Sequence, residues 1–357
     1  MVAADATSLT QTAQRRGGDR RRLSQLLSVI LIVVLAAAML LSLGWGAADQ
    51  TDVLAALVGE GSLRDQIIIW DIRMPRMLTA ALVGASLAVS GAVMQGLFRN
   101  PLADPGLVGV SAGAGFGAVV AIVLGGFLPV TVAAAVGKYS VPFAAFIGGW
   151  ITTLLLYAVA TRGGRTSVAT MLLAGIALGA LIGAFMGLLV YYADDNQLRD
   201  LTFWSMGSVA GASWEKLSAS APLIILTLIA APFLARALNA LTLGEAAAHH
   251  LGIDVQKMKR IAIMTVAASI GASTAVTGGI GFVGIVVPHL LRLVQGPDHR
   301  GLLINGALLG AIILLLADAI SRVVIAPAEL PIGIVMAAIG GPFFLWILLK
   351  NRNLVEM

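Results

Sequence analysis

Three arginines stand at the ends of long apolar stretches: Arg73 and Arg76 in the run Arg73-Met-Pro-Arg76, and Arg322, four residues after Asp318. A guanidinium is planar, stays charged and meets a carboxylate through two parallel hydrogen bonds. At the outer ends of membrane helices, three such groups either snorkel to the interface or dock carboxylates of a soluble partner. Asp318 and Arg322 also fit an i, i+4 pair on one helix face, which accounts for both without transport chemistry. A proton-coupled carrier would more often show several intramembrane acids or histidines, and Asp318 is the only carboxylate well within an expected span. His249 and His250 are adjacent and point about 100 degrees apart on a helix, a poor arrangement for metal binding. His289, beside Pro288, reads as structural or interfacial. The chain lacks the G-x-x-x-x-G-K-[ST] and H-E-x-x-H patterns, so phosphate-loop and zinc-protease chemistries have no support. With no cysteine, disulfides and thiolate sites are excluded. No catalytic residue, metal or cofactor is expected on this chain, and any ATPase engine lies on another.

These residues must be positioned by membrane helices. Of 357 residues, 59% are hydrophobic and 11% charged, and the mean hydropathy is +0.94. A soluble domain carries about a quarter charged residues. The 41 glycines suit a bilayer, where small residues let helix backbones approach. The net charge of +5 lies beside apolar segments and so reads as membrane orientation rather than nucleic-acid binding.

Apolar segments near the ~20 residues needed to span lie at about 23–43, 76–98, 106–126, 139–160, 168–192, 219–236, 258–277, 281–296, 302–325 and 331–349. The fold class is therefore an all-α membrane protein of about ten transmembrane helices. Residues 1–22, ending in Arg20, Arg21 and Arg22, read as a disordered cytosolic tail, residues 23–350 as one transmembrane domain, and residues 351–357 as a second cytosolic tail. Most of the 23 Lys and Arg residues then fall on one side, which places both termini in the cytosol. Gly84-Ala-Ser-Leu-Ala-Val-Ser-Gly91 in span two returns as Gly271-Ala-Ser-Thr-Ala-Val-Thr-Gly278 in span seven, six of eight positions identical. Five crossings separate the copies, so the repeat, spans two to five against seven to ten, is inverted, a recurring transporter architecture.

Two further features bear on function. Gly175, Gly179, Gly183 and Gly187 stack along span five, as a close helix crossing, as clearance for a bulky solute, or as both. In the longest cytosolic connection, Thr242-Leu-Gly-Glu245 fits a capping box and Gly252 a left-handed end. Residues 243–251 are thus expected to form one short helix, with Asp254 capping span seven. Such a helix either lies on lipid or serves as a handle for a cytosolic motor.

Ordered blocks across residues 25–350 resemble the FecCD family of ABC importer permeases for iron-siderophores, haem and cobalamin. They are Arg73-Met-Pro-Arg76, Gly84 to Gln95, Arg99-Asn-Pro-Leu-Ala-Asp-Pro105, Phe203-Trp-Ser-Met-Gly207, Gly279-Ile-Gly-Phe-Val-Gly284 with Pro288-His-Leu-Leu-Arg292, and Pro331-Ile-Gly-Ile-Val-Met336 with Gly341-Pro-Phe343. The resemblance implies a permease homodimer in the bacterial inner membrane, with one path at the subunit interface. Two ATP-binding cassette subunits, carrying ATP and Mg, and a periplasmic substrate-binding protein complete it. It further implies ATPase coupling through Leu243, Glu245, Ala247, His249, Leu251 and Gly252, binding-protein docking on Arg73, Arg76 and Arg322, and a cytosolic gate at Thr166 and Ser167. In this loop the family often has glutamate followed by two alanines; here three alanines follow Glu245. The segment Gln197 to Gly207 is closer to haem permeases, so haem is the expected cargo, with ferric siderophore and cobalamin as alternatives and an ion-coupled carrier as a remote one.

Overall fold

The structure is a computed structural model that describes residues 2–45, 52–127, 131 and 137–350; the expected tail 351–357 lies outside them. Fifteen helices are labelled here in chain order: α1 Val2–Gly44, α2 Val53–Val58, α3 Leu63–Gln66, α4 Met74–Leu97, α5 Val110–Leu124, α6 Ser140–Ala160, α7 Val168–Tyr191, α8 Asp195–Met206, α9 Trp214–Ala230, α10 Ala235–Leu241, α11 Glu245–His250, α12 Val255–Thr277, α13 Val283–Gln295, α14 His299–Val323 and α15 Ile332–Lys350. A two-residue hairpin, β1 Thr161–Arg162 and β2 Arg165–Thr166, joins α6 to α7. Among the described residues, eight helical stretches are long and apolar enough to cross a bilayer, and α13 and α15 are shorter apolar helices. Together they occupy the ten expected spans.

Three boundaries differ from the sequence reading. The chain is helical from Val2, through residues read as a tail; that stretch contains no proline, and only Gly17 and Gly18 disfavour a helix. Span two is entered through a π-helical turn, Ile67–Arg73, that runs on into α4, where Pro75 lacks a backbone N–H to donate to the preceding turn. Between α7 and α9, Asp194 and Gln197 form a reciprocal capping box that starts α8.

The core is α4, almost wholly buried, packed on α14, α13, α12 and α9. In lipid, close approach and interhelical hydrogen bonds hold helices together. A Cβ on Gly84 would strike the Gly310 backbone of α14, and one on Gly91 the Gly284 backbone of α13. The inverted repeat is visible in the packing. Span two (α4) rests on span nine (α14) and span eight (α13), while its counterpart, span seven (α12), rests on span four (α6) and span three (α5). α4 starts beside Asp318 near the end of α14 and finishes with Gly96 against His299 at its start. α12 runs the opposite way: Lys259 in its second turn contacts Glu245, and its final residue, Thr277, accepts a hydrogen bond from Ser208.

Polar groups pin these packings. Ser86 of α4 meets Ser269 and Ser273 of α12 at 2.7 and 2.8 Å, and Thr227 of α9 adds a bond to Ser269 at 3.1 Å. Near the other end, fully buried Asn305 donates to Gln295 and to the Ser24 carbonyl and accepts from Ser28, tying α1 to α13 and α14. Caps behave as their residue types dictate. Ser167 accepts from the Thr170 N–H, Asp254 from Lys257 and Asp298 from Arg300.

Candidate docking, coupling and gate sites

At one end of the bundle the three arginines come together, facing inward. Arg73, Arg76 and Arg322 are 5%, 6% and 6% exposed. Arg76 donates from Nε and Nη2 to one Asp318 oxygen at 3.0 and 2.9 Å, and from Nη1 to both Glu329 oxygens at 2.8 and 2.9 Å. Arg322 pairs with the other Asp318 oxygen at 3.2 Å, as the i, i+4 spacing predicts, and donates to the Ser42 and Trp45 carbonyls at 3.1 and 2.8 Å. Arg73 donates to the Leu43 and Gly44 carbonyls at 2.5 and 3.3 Å. The final carbonyls of a helix lack intrahelical partners and carry the negative end of its dipole. Two arginines therefore satisfy the end of α1, and the third joins α4 to α14 and to the loop bearing Glu329. Asp318 is wholly buried and Glu329 about half-exposed. Glu329 was not singled out in the sequence, since nothing local links it to a residue 253 positions away.

At the opposite end, α11 is shorter than the expected 243–251 helix. Thr242 does not cap it; its hydroxyl turns back to the Asn239 carbonyl at 2.7 Å. Gly244, at φ +103°, redirects the chain before Glu245, which separates Thr242 from the new helix. The other end matches expectation: Gly252 adopts φ +79°, and its N–H and that of Ile253 close onto His249 and Ala248. Ala248 is buried, Ala247 half-buried, and His249 and His250 face solvent. Leu243 and Leu251, 69% and 56% exposed, bracket the helix with apolar surface.

The hairpin before α7 carries Thr166, 4% exposed, whose hydroxyl meets Thr161 at 3.0 Å across the strands. Ser167 follows as the exposed cap of α7. Behind the hairpin stands Lys259, which no local motif in the sequence singles out. It is 2% exposed and donates to the Thr166 carbonyl at 2.9 Å and to Glu245 at 2.7 Å.

Span five keeps its glycines open. A Cβ at Gly179, Gly183 or Gly187 would meet nothing within 4 Å, and only 6% of the α7 window is buried within the chain. Gly175 lies half-buried on the same helix. The close helix crossings fall elsewhere, at Gly84 with Gly310, Gly91 with Gly284, and Gly113 and Gly117 of α5 against α6.

A cavity of about 230 Å³ lies where the connections 98–109 and 278–282 fold back against α4 and α12; Asp104, Ser111, Thr274 and Phe282 line it. Burial pushes the Asp104 carboxyl above its ordinary range, with the Gly106 N–H acting the other way. Among the described residues, no cluster of three or more His, Asp or Glu side chains could hold a metal.

Comparison with known proteins agrees with this architecture. The hemin transport system permease protein HmuU of Yersinia pestis is 48% identical over 286 residues, covering 80% of this chain and 84% of that protein. The vitamin B12 import system permease protein BtuC of Citrobacter koseri is 44% identical over 293 residues, 82% of this chain and 86% of that protein. A solved structure described as an inward-facing conformation of an ABC transporter of metal-chelate type superposes with a TM-score of 0.78 at 33% identity, covering 90% of this chain and 98% of that one. The model of the FecCD transport family matches residues 29–350. The chain belongs to that family: it is a multi-pass permease subunit of an ABC importer, whose ATP hydrolysis is performed by a separate ATPase.

Proposed function

We propose that this permease passes haem from the periplasm to the cytoplasm by alternating access, as a homodimer in the inner membrane with both termini cytosolic. Its partners are two ATP-binding cassette subunits, which hold ATP and Mg, and one periplasmic haem-binding protein. The observation that carries the energy-coupling part is α11: a short helix, closed at its C-terminal end by Gly252 and flanked by exposed Leu243 and Leu251, as a handle gripped by another protein requires. The path runs beside α7, where a Cβ at Gly179, Gly183 or Gly187 would meet nothing within 4 Å among the described residues. Thr166 and Ser167 stand at its cytosolic entrance, where they form the gate. Haem is favoured by the greater likeness to the hemin permease, 48% against 44% for the vitamin B12 permease.

Docking of the binding protein belongs at the arginine-bearing outer rim. Because Arg76 already holds Asp318 and Glu329, an incoming carboxylate must exchange with Glu329, the half-exposed partner, rather than meet a vacant guanidinium. Energy from docking outside and nucleotide binding inside would bias one two-state bundle.

The test is uptake by liposomes holding the purified complex, with ATP enclosed and haem-loaded binding protein outside. Haem enters only when both are present. Import of cyanocobalamin or a ferric siderophore in its place would overturn the cargo, and uptake by the permease alone on a proton gradient would overturn the scheme.

A further inference from the structure

Lys259 lies at the crossing of two segments that the proposed function treats separately, the coupling helix and the gate. Its ammonium bridges Glu245 Oε1 at 2.7 Å, on the first turn of α11, and the Thr166 carbonyl at 2.9 Å, at the end of the hairpin. One turn earlier on α12, Gln256 accepts the Thr166 N–H at 2.8 Å. Both backbone polar groups of Thr166 are therefore held by α12, and the next residue, Ser167, is the cap on which α7 begins. Ser167 itself donates its N–H to the Ala160 carbonyl at 2.9 Å, so the hairpin is closed beneath the clamp.

The charge on Lys259 makes this bridge stiff. An ammonium buried to 2% exposure is costly unless paired and hydrogen-bonded, and among the described residues its hydrogen bonds go to the two segments it joins. Moving α11 away from Thr166 would strip Lys259 of one of them. The low-cost response is for Glu245, Lys259 and Thr166 to travel together. A lysine whose role was only to anchor α12 at the membrane surface would instead snorkel its ammonium to water.

We infer that Lys259 is the positioning residue that transmits displacement of the coupling helix α11 to the gate at the start of α7, through the Glu245–Lys259–Thr166 bridge. The inference rests on the reading of α11 as the ATPase handle, and adds the route by which its movement reaches the path. Three alanines follow Glu245, leaving its carboxylate as the polar contact of the α11 first turn with α12.

The experiment uses the full permease–ATPase–binding-protein complex in liposomes, and reads haem delivered per ATP hydrolysed for wild type, Lys259→Met, Lys259→Arg and Glu245→Ala. In parallel, because the chain has no cysteine, a single Thr170→Cys on the exposed first turn of α7 is probed with a water-soluble maleimide, with and without ATP. We expect Lys259→Met to keep hydrolysing ATP while haem per ATP falls about tenfold, the usual scale of a coupling between sites, and Glu245→Ala to lower haem per ATP by a similar factor. Lys259→Arg, whose guanidinium reaches both partners, restores most of it. The ATP-dependent change in labelling at position 170 disappears with the methionine and returns with the arginine. The inference is overturned if correctly assembled Lys259→Met delivers haem at the wild-type ratio. It is also overturned if uptake and hydrolysis fall in proportion, as a purely structural residue would produce. Failure of the wild-type complex to import with ATP is a different result, and strikes the importer reading itself.

Discussion

Ser86 and Ser273 occupy the same place in the two copies of the octapeptide, and their hydroxyls meet at 2.8 Å. A residue touches its own repeat-equivalent only at the axis relating the two halves. The internal two-fold therefore passes between α4 and α12, within the buried bundle.

Close glycine contacts and open glycines should respond oppositely to substitution. Gly91→Ala puts a methyl into the Gly284 backbone, and should lower stability by about 3 kcal/mol or more, the upper part of the range for overpacking. Gly183→Ala meets nothing within 4 Å among the described residues and should leave the thermal midpoint of the solubilised subunit within about 1 °C, since its cost is set by little beyond surface effects. Thermal size-exclusion profiles of the two variants decide this; equal losses would mean that α7 is packed inside the subunit.

Replacing Asp318 strands two buried cations. Asp318→Asn should destabilise the subunit by about 3–5 kcal/mol, the cost of breaking a buried pair on one side. Glu329→Gln removes a half-exposed partner while Asp318 stays on Arg76, and should cost about 1 kcal/mol or less. Denaturation in detergent measures both.

If Glu329 competes with carboxylates of the binding protein, its removal frees Arg76 at the rim. Glu329→Gln should tighten the binding-protein complex, by up to about tenfold, the equivalent of one 1.4 kcal/mol interaction. Surface plasmon resonance on nanodiscs provides the readout, and weaker binding would assign Glu329 itself to the interface. Charge reversal at Arg76 is a poorer test, because it sets a carboxylate against Asp318 inside the bundle.

Leu243→Asp and Leu251→Asp lie on exposed positions, so folding should change by no more than about 0.5 kcal/mol. Capture of the ATPase subunit should nevertheless weaken by about tenfold or more if these side chains anchor the interface. A pull-down beside a thermal profile separates the two effects, and intact capture by both variants would move the handle elsewhere.

The spans and their inverted relation were legible because each is written locally: apolar runs near the required length, and an octapeptide that repeats. Asp254 and Gly252 were legible for the same reason, since a cap and a left-handed helix end involve residues a few positions apart. Thr242 was misread because two motifs compete there, and a glycine at φ +103° decides between them in a way that letters do not reveal. Charge partners were least legible. Arg76 and Asp318 are 242 positions apart, Lys259 and Thr166 are 93 apart, and a tally of basic residues by membrane side treats a buried lysine like a solvated one. The glycine ladder of span five was plain, but the helices it would cross were not. Among the described residues a Cβ at Gly179, Gly183 or Gly187 meets nothing within 4 Å, while less regular pairs such as Gly84 and Gly310 make the close contacts.

The loose seating of α7 divides the subunit mechanically. A helix with 6% of its window buried at home can tilt without breaking apart interlocked glycine backbones, whereas α4, wedged against Gly284 and Gly310, can hardly shift at all. The buried frame thus behaves as the stator and α7 as its lever, lightly packed on α5 and α6 and held at its foot by the hairpin.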